Sequence, residues 1–105
     1  MRIINGEIII KRRSIMGITI NVFGHVQGVG FRWHTQQIAT KLDIKGFVEN
    51  EPDGSVYIEA SSTSNEQLQQ FINAIQQGPA PESRVDNIQV KQANLPMYQD
   101  FTIKH

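Results

Sequence analysis

The chain has 105 residues, a length that corresponds to one domain. Its 39% hydrophobic and 19% charged residues are typical of a compact core and exclude an intrinsically disordered composition. Because the sequence contains no cysteine, a disulfide scaffold, a thiolate nucleophile and a cysteine-ligated metal site are excluded. The ten basic residues balance the ten acidic ones, so no net positive charge attracts nucleic acid or a membrane surface.

The first fifteen residues differ in charge from the rest. They contain four basic residues and one acidic residue, whereas residues 16–105 contain six basic and nine acidic residues, a formal charge of −3. Regular alternation of apolar and polar residues begins only after Gly17, and Met16 is an alternative start. These fifteen residues can also be interpreted as a processed signal or as a basic arm that binds an anionic partner. We predict a non-catalytic extension over residues 1–15, followed by one domain over residues 16–105.

The domain begins with a strand, a loop and a helix. Apolar residues at every second position predict a strand over Ile18–Phe23. The loop Gly24–Gly30 contains three glycines. The helix that follows extends over about Phe31–Leu42, because its apolar residues fall on one stripe. That stripe consists of Phe31, Thr35, Ile38, Ala39 and Leu42.

A hairpin follows the first helix. Its two strands are predicted at Ile44–Glu49 and Val56–Ala60. Between them stands Pro52-Asp53-Gly54, in which the proline presets φ and the glycine accepts the positive φ of a tight turn. This turn chemistry predicts that the two strands are antiparallel neighbours.

Four apolar residues at positions i, i+3, i+4 and i+7 predict the second helix. These residues are Leu68, Phe71, Ile72 and Ile75. The helix begins at a capping box, formed either by Ser64 with Gln67 or by Thr63 with Glu66. Gly78 and the proline after it end the helix.

Two further strands, at Val85–Val90 and Phe101–Ile103, complete the domain. The order β-α-β-β-α-β with a short terminal strand predicts a ferredoxin-like split β-α-β fold of the α+β class. Each helix carries one apolar stripe, so both cover the same face of an antiparallel sheet. The first two strands run parallel with another strand between them and end at one edge. This edge holds the glycine loop, the start of the first helix and Asn50.

The glycine loop and the helix start suit an anion. Three glycines in seven residues let several backbone N–H groups turn toward one point, and a helix N-terminus adds unpaired N–H groups. Arg32 in the first turn adds a forked, charged donor. From spacing alone, a plain connector with a solvated arginine is an equally supported interpretation. A nucleotide loop is disfavoured, because the run lacks Gly-Lys-Ser/Thr and has Trp33 where Gly-x-Gly-x-x-Gly needs its third glycine.

The most specific motif in the chain is Val22-Phe23-Gly24-His25-Val26-Gln27-Gly28-Val29-Gly30-Phe31-Arg32. Shorter segments accompany it, namely Gly46-Phe47-Val48-Glu49-Asn50, Asp53-Gly54-Ser55-Val56, Ser83-Arg84-Val85 and Phe101-Thr102-Ile103. Together they resemble the acylphosphatase family over residues 17–105. The departures are small, since Phe47 replaces a frequent tryptophan and the positions of His25, Trp33 and His34 are variable.

The resemblance implies the ferredoxin-like fold and a freestanding acylphosphatase. Such an enzyme hydrolyses the carboxyl–phosphate bond of acyl phosphates to a carboxylate and inorganic phosphate, without a metal or another cofactor. The resemblance makes Arg32 and Asn50 the catalytic residues, with Arg32 binding the phosphate and Asn50 orienting the attacking water. It makes the phosphate-binding residues Gly24, His25, Val26, Gln27, Gly28, Val29, Gly30, Phe31 and Arg32.

The remaining expectations concern location and partners. The longest purely apolar run, Ile8-Ile9-Ile10, is too short to cross a bilayer. We therefore expect a cytoplasmic monomer that acts on a small acyl phosphate and binds neither nucleic acid nor a membrane. Because the chain ends at His105, a freestanding hydrolase is favoured over a carbamoyl-phosphate-handling domain of a larger maturation enzyme.

Several residues keep a second interpretation. Without the family resemblance, Asn50 is a turn residue before a proline. His25 and His34 are expected at solvent-exposed positions rather than as ligands or bases. Trp33 and Phe23 are compatible with either the floor of a pocket or simple packing.

An RNA-recognition domain is the main alternative of another class. Lys45-Gly46-Phe47 is similar to the start of the aromatic motif of such domains, which share this topology. The next residues, Val48-Glu49-Asn50, lack the required aromatic side chains, and the domain is net acidic. The sequence therefore favours the hydrolase.

Overall fold

The computed structural model describes residues 2–4, 7–9 and 15–105 of the chain. Strands β1 (Arg2–Ile4) and β2 (Glu7–Ile9) pair as a short antiparallel hairpin. No strand is predicted there from the sequence, because three residues are too few for alternation to be detected. The other residues of the predicted extension before residue 15 lie outside the described ranges, and its non-catalytic role stays a prediction.

The domain after the hairpin has the predicted order of elements. They are β3 (Met16–His25), α1 (Phe31–Lys41), β4 (Lys45–Asn50), β5 (Val56–Ser62), α2 (Asn65–Gln77), β6 (Arg84–Gln92) and β7 (Phe101–Lys104). Every predicted helix and strand of the domain is present, with small differences at the ends. The ferredoxin-like α+β fold is confirmed.

Strands β3 to β7 form one sheet in the order β6-β3-β5-β4-β7. Strand β3 is antiparallel to β5 and β6, and β4 is antiparallel to β5. Strands β3 and β4 therefore run parallel with β5 between them, as predicted. The terminal strand β7 adds a parallel pair with β4 at the edge, so the complete sheet is mixed.

Both helices bury their predicted apolar stripes. The buried positions are Phe31, Thr35 and Ala39 in α1 and Leu68, Phe71 and Ile75 in α2. The other residues of the two stripes, Ile38, Leu42 and Ile72, are partly buried and pack against the core. They join one core with the inward-facing residues of the sheet, such as Ile20, Val22 and Ile58. Within the described ranges, no helix combines the length and the apolar character that crossing a bilayer requires.

Aromatic and acidic side chains pack on the opposite face of the sheet. The hydroxyl of Tyr98 donates to Glu59 Oε1 at 2.5 Å, and that of Tyr57 donates to Glu59 Oε2 at 2.8 Å. The ring of Phe47 packs against both tyrosine rings, and Lys104 Nζ lies 3.8 Å from its centroid. Phe47 is thus only 5% exposed, so it does not offer the open ring that base stacking in an RNA-recognition sheet needs.

The pKa of Tyr98 gives a test of this packing. Burial and the hydrogen bond to Glu59 raise the pKa of Tyr98 to about 12, above the value of about 10 in an unfolded chain. The resulting stabilisation is complete below the unfolded pKa and is lost as pH rises toward the folded pKa. We predict that the free energy of unfolding in urea decreases less between pH 8 and about 11.5 in Tyr98→Phe than in the wild type. Equal decreases in the two proteins would contradict this.

Candidate active site

The predicted glycine loop is shorter in the structure than in the sequence-based assignment. Gly24 and His25 belong to β3 and pair with Val85 and Arg84 of β6. Gly24 has φ +138°, and a Cβ there would overlap the carbonyl oxygen of Arg84. Glycine at this position is therefore required by the close approach of β6. The loop itself consists of residues 26–30, and phosphate binding by Gly24 and His25 stays a prediction.

Helix α1 begins without a side-chain cap. Its N-cap residue Gly30 has a left-handed conformation (φ 77°, ψ 18°), and no acidic residue lies in the first turn. Helix α2 is capped by its own residues, because the Ser64 hydroxyl accepts a hydrogen bond from the backbone N–H of Gln67 and Glu66 lies in the first turn. Of the two capping boxes compatible with the sequence, Ser64 supplies the cap. The first turn of α1 therefore keeps its donors and its partial positive charge for another acceptor.

One cavity of about 230 Å³ brings the loop, α1 and the end of β4 together. It is lined by Val26, Gly28, Gly30, Phe31, Arg32, Trp33, Asn50, Ile103 and His105. Arg32 and Asn50 meet because β3 and β4 end at the same edge of the sheet, as the topology predicted. Of the other predicted site residues, Gly24, His25, Gln27 and Val29 do not line it.

Gln27 connects the loop to the turn after Asn50. Its side-chain amide donates to the carbonyl oxygens of Glu51 and Ser55, both at 2.8 Å. Within that turn, the Ser55 hydroxyl and backbone N–H donate to Asp53, which lowers the pKa of the Asp53 carboxyl. The side chain of Gln27 therefore fixes the loop relative to the end of β4. This positioning contact has no signature in the sequence, because it joins residues 24 and 28 positions apart.

Arg32 is oriented by the end of β7. Its Nη1 donates to the carbonyl oxygen of Lys104 at 3.2 Å and lies 3.3 Å from His105 Nδ1. Within residues 15–105, no carboxylate forms an ion pair with Arg32. Its positive charge is thus available to an anion in the cavity. The contributions of Ile103 and His105 are not predicted from the sequence, since they depend on β7 pairing in parallel with β4.

Trp33 and Phe23, the two aromatic residues near the loop, lie in different surroundings. Trp33 lines the cavity and is 56% exposed, whereas Phe23 lines a different depression that also contains Glu49 and Tyr57. His25 is exposed as predicted. His34 is only partly exposed, and its Nδ1 is buried without a hydrogen-bond partner among the described residues. Among the residues that the structure describes, no three histidine, aspartate or glutamate side chains lie close enough together to bind a metal ion.

These features define a ferredoxin-like α+β domain with a cationic cavity at one sheet edge. The sequence profile of the acylphosphatase family matches residues 18–103. The acylphosphatase of Thermotoga petrophila is 44% identical over 88 residues, which cover 84% of this chain and 96% of that protein. The acylphosphatase of Archaeoglobus fulgidus is 41% identical over 91 residues, which cover 87% of this chain and all of that protein. The chain belongs to the acylphosphatase family.

Solved structures show the same similarity. The crystal structure of acylphosphatase from Bacillus subtilis matches with a TM-score of 0.81 at 37% identity, over 86% of this chain and 99% of that chain. Full-length HypF in its phosphate- and nucleotide-bound form matches with a TM-score of 0.79 at 35% identity. That similarity covers 90% of this chain but only 12% of the HypF chain.

The positioning role of Gln27 is testable by substitution. In Gln27→Met the carbonyl oxygens of Glu51 and Ser55 lose the side-chain donor and keep only their backbone donors, which are the N–H groups of Gly54 and Glu51. Because two hydrogen bonds are lost, we expect a loss of roughly 1–3 kcal/mol in the free energy of unfolding. Gln70→Met, at an exposed position of α2, is the matched control and should be close to neutral. Urea unfolding measures both. Equal stability of the two variants would show that these hydrogen bonds do not fix the loop.

Proposed function

We propose that this chain hydrolyses acyl phosphates in the cavity between the loop, α1 and the end of β4, releasing a carboxylate and inorganic phosphate. Membership of the acylphosphatase family supplies the substrate class and the reaction. The observation that carries the location is the first turn of α1, which has no side-chain cap and no acidic residue but contains Arg32. The same cavity contains Asn50.

The phosphate group is bound by Arg32 together with the backbone N–H groups around the start of α1. Gly28 and Gly30 have φ values of +76° and +77°, and a Cβ added at either would meet nothing within 4 Å. The backbone at these two positions is therefore open to a ligand, and the positive φ favours glycine. A phosphate there accepts hydrogen bonds from a guanidinium and from a helix N-terminus, both of which favour negative charge.

The attacking water is oriented by Asn50. This exposed residue ends β4, and its carboxamide both accepts from and donates to a water. The water oxygen bonds to phosphorus while the bond from phosphorus to the bridging oxygen breaks, and the carboxylate leaves with that electron pair. A phosphate oxygen takes the proton of the water. A carboxylate is a good leaving group, so the reaction needs no strong base and orientation of the water is sufficient.

Charge stabilisation in the transition state comes from the groups that bind the phosphate. Arg32 and the N–H groups of the first turn hold the equatorial oxygens as charge redistributes. The protein thus supplies positive charge itself, and the proposed mechanism uses no metal ion. The cytoplasmic location, the monomeric state and the lack of a nucleic-acid partner stay predictions.

Two substitutions separate binding from turnover. Arg32→Ala should lose both phosphate binding and hydrolysis, since it removes the charged donor. Asn50→Ala should retain phosphate binding but lose turnover by roughly 10²–10³-fold, the usual effect of removing one preorganised group. Inorganic phosphate as a competitive inhibitor measures binding, and benzoyl phosphate hydrolysis measures turnover.

Lys91→Ala, which removes an exposed cation of β6, is the matched control for charge and should behave like the wild type. A normal rate in Asn50→Ala would refute the water-orienting role. Normal inhibition of Arg32→Ala by phosphate would refute the binding role.

The absence of a metal requirement is tested with a chelator. Benzoyl phosphate hydrolysis should have the same rate before and after extensive treatment with EDTA, because the arginine and the helix N-terminus carry the positive charge. Loss of activity that added divalent cations restore would exclude this mechanism.

A further inference from the structure

Trp33 separates two cavities on the surface of α1. One is the cavity that contains Arg32 and Asn50. The other, of about 340 Å³, is lined by Trp33, His34, Gln37, Ile38, Lys41 and Pro79. Because Trp33 lines both cavities, a ligand whose phosphate is bound beside Arg32 can reach the second cavity only by passing this residue.

The exposure of Trp33 is unusual for so large an apolar side chain. It is 56% exposed, and its aromatic contact is an edge-to-face pair with His34 at 5.0 Å between ring centroids. A tryptophan that serves only the core is largely buried. Exposed apolar surface at the rim of a ligand cavity is typical of a site that the ligand covers.

The geometry of the reaction selects which part of the substrate lies there. In an in-line displacement the leaving group departs on the side of phosphorus opposite the attacking water. With the water held by Asn50 at the end of β4, the acyl group departs away from β4. The cavity is bordered by the loop, by α1 and by the end of β7 as well as by β4. Of these elements, α1 contains Trp33, and a second cavity lies along this helix.

We propose that Trp33 is a specificity-determining residue that packs against the acyl group, and that the preferred substrates are acyl phosphates with a flat, apolar acyl group. This inference depends on the proposed function of the neighbouring cavity. Ile38 and Pro79 extend the apolar surface beyond the indole, so an aromatic acyl group gains contacts that an acetyl group is too short to make.

The experiment compares benzoyl phosphate with acetyl phosphate. In Trp33→Ala, kcat/KM for benzoyl phosphate should decrease by roughly tenfold, mainly through KM, while the value for acetyl phosphate should change less than about twofold. Trp33→Phe keeps a flat apolar ring and should retain most of the preference. Thr40→Ala, at an exposed position of the same helix outside both cavities, should change neither value.

Fluorescence provides an independent measurement, because Trp33 is the single tryptophan of the chain. Benzoate added in the presence of inorganic phosphate should change the emission of the indole more than acetate does. If Trp33→Ala lowers both substrates equally, or neither, the acyl-binding role is wrong and the proposed function stands. If the wild type hydrolyses neither substrate, the proposed function itself fails.

Discussion

The insertion of β5 between β3 and β4 is the constraint on which the site depends. Because β5 is antiparallel to both neighbours, β3 and β4 run in the same direction and end at one edge of the sheet. The loop after β3 leads into α1, and Asn50 is the last residue of β4. A right-handed crossover through α1 is the short way to connect two such strands, so the helix N-terminus is brought to the same edge. Arg32 and Asn50 therefore share a cavity as a consequence of strand order.

The two helices differ in how their N-termini are satisfied. Helix α2 satisfies its own N-terminus through Ser64, whereas α1 starts at Gly30, whose lack of a side chain leaves the first turn uncapped. The free N–H groups of an uncapped helix start are satisfied by water or by a ligand, and an anion is the ligand that they favour. The glycines of this region also differ in what surrounds them. Gly24 allows β6 to approach, while Gly28 has open space above it.

The sequence was a sufficient basis for the two helices, for strands β3 to β7 and for the central strand order, because each depends on local periodicity and on short connections. It was less informative where a residue has two local interpretations. Gly24 lies in β3 rather than in the loop, because the register of β3 shifts beside β6 and pairing continues to His25. Trp33 and Phe23 were equivalent as apolar residues beside the loop. Only their positions in the fold put Trp33 in the cavity and Phe23 on the other side of the sheet.

The amino-acid sequence by itself determined the α+β architecture, the family, and the position of Arg32 and Asn50 at one edge of the sheet, since these depend on local spacing, on short connections and on specific motifs. The tertiary structure alone decided that β7 is parallel to β4, and that its end orients Arg32. It also decided that Gln27 holds the turn beside Asn50. Such contacts join residues far apart in the chain, and their partners are mostly backbone carbonyl groups, which every residue has. No residue type or spacing marks them in advance, and only the folded backbone selects which carbonyl each side chain reaches.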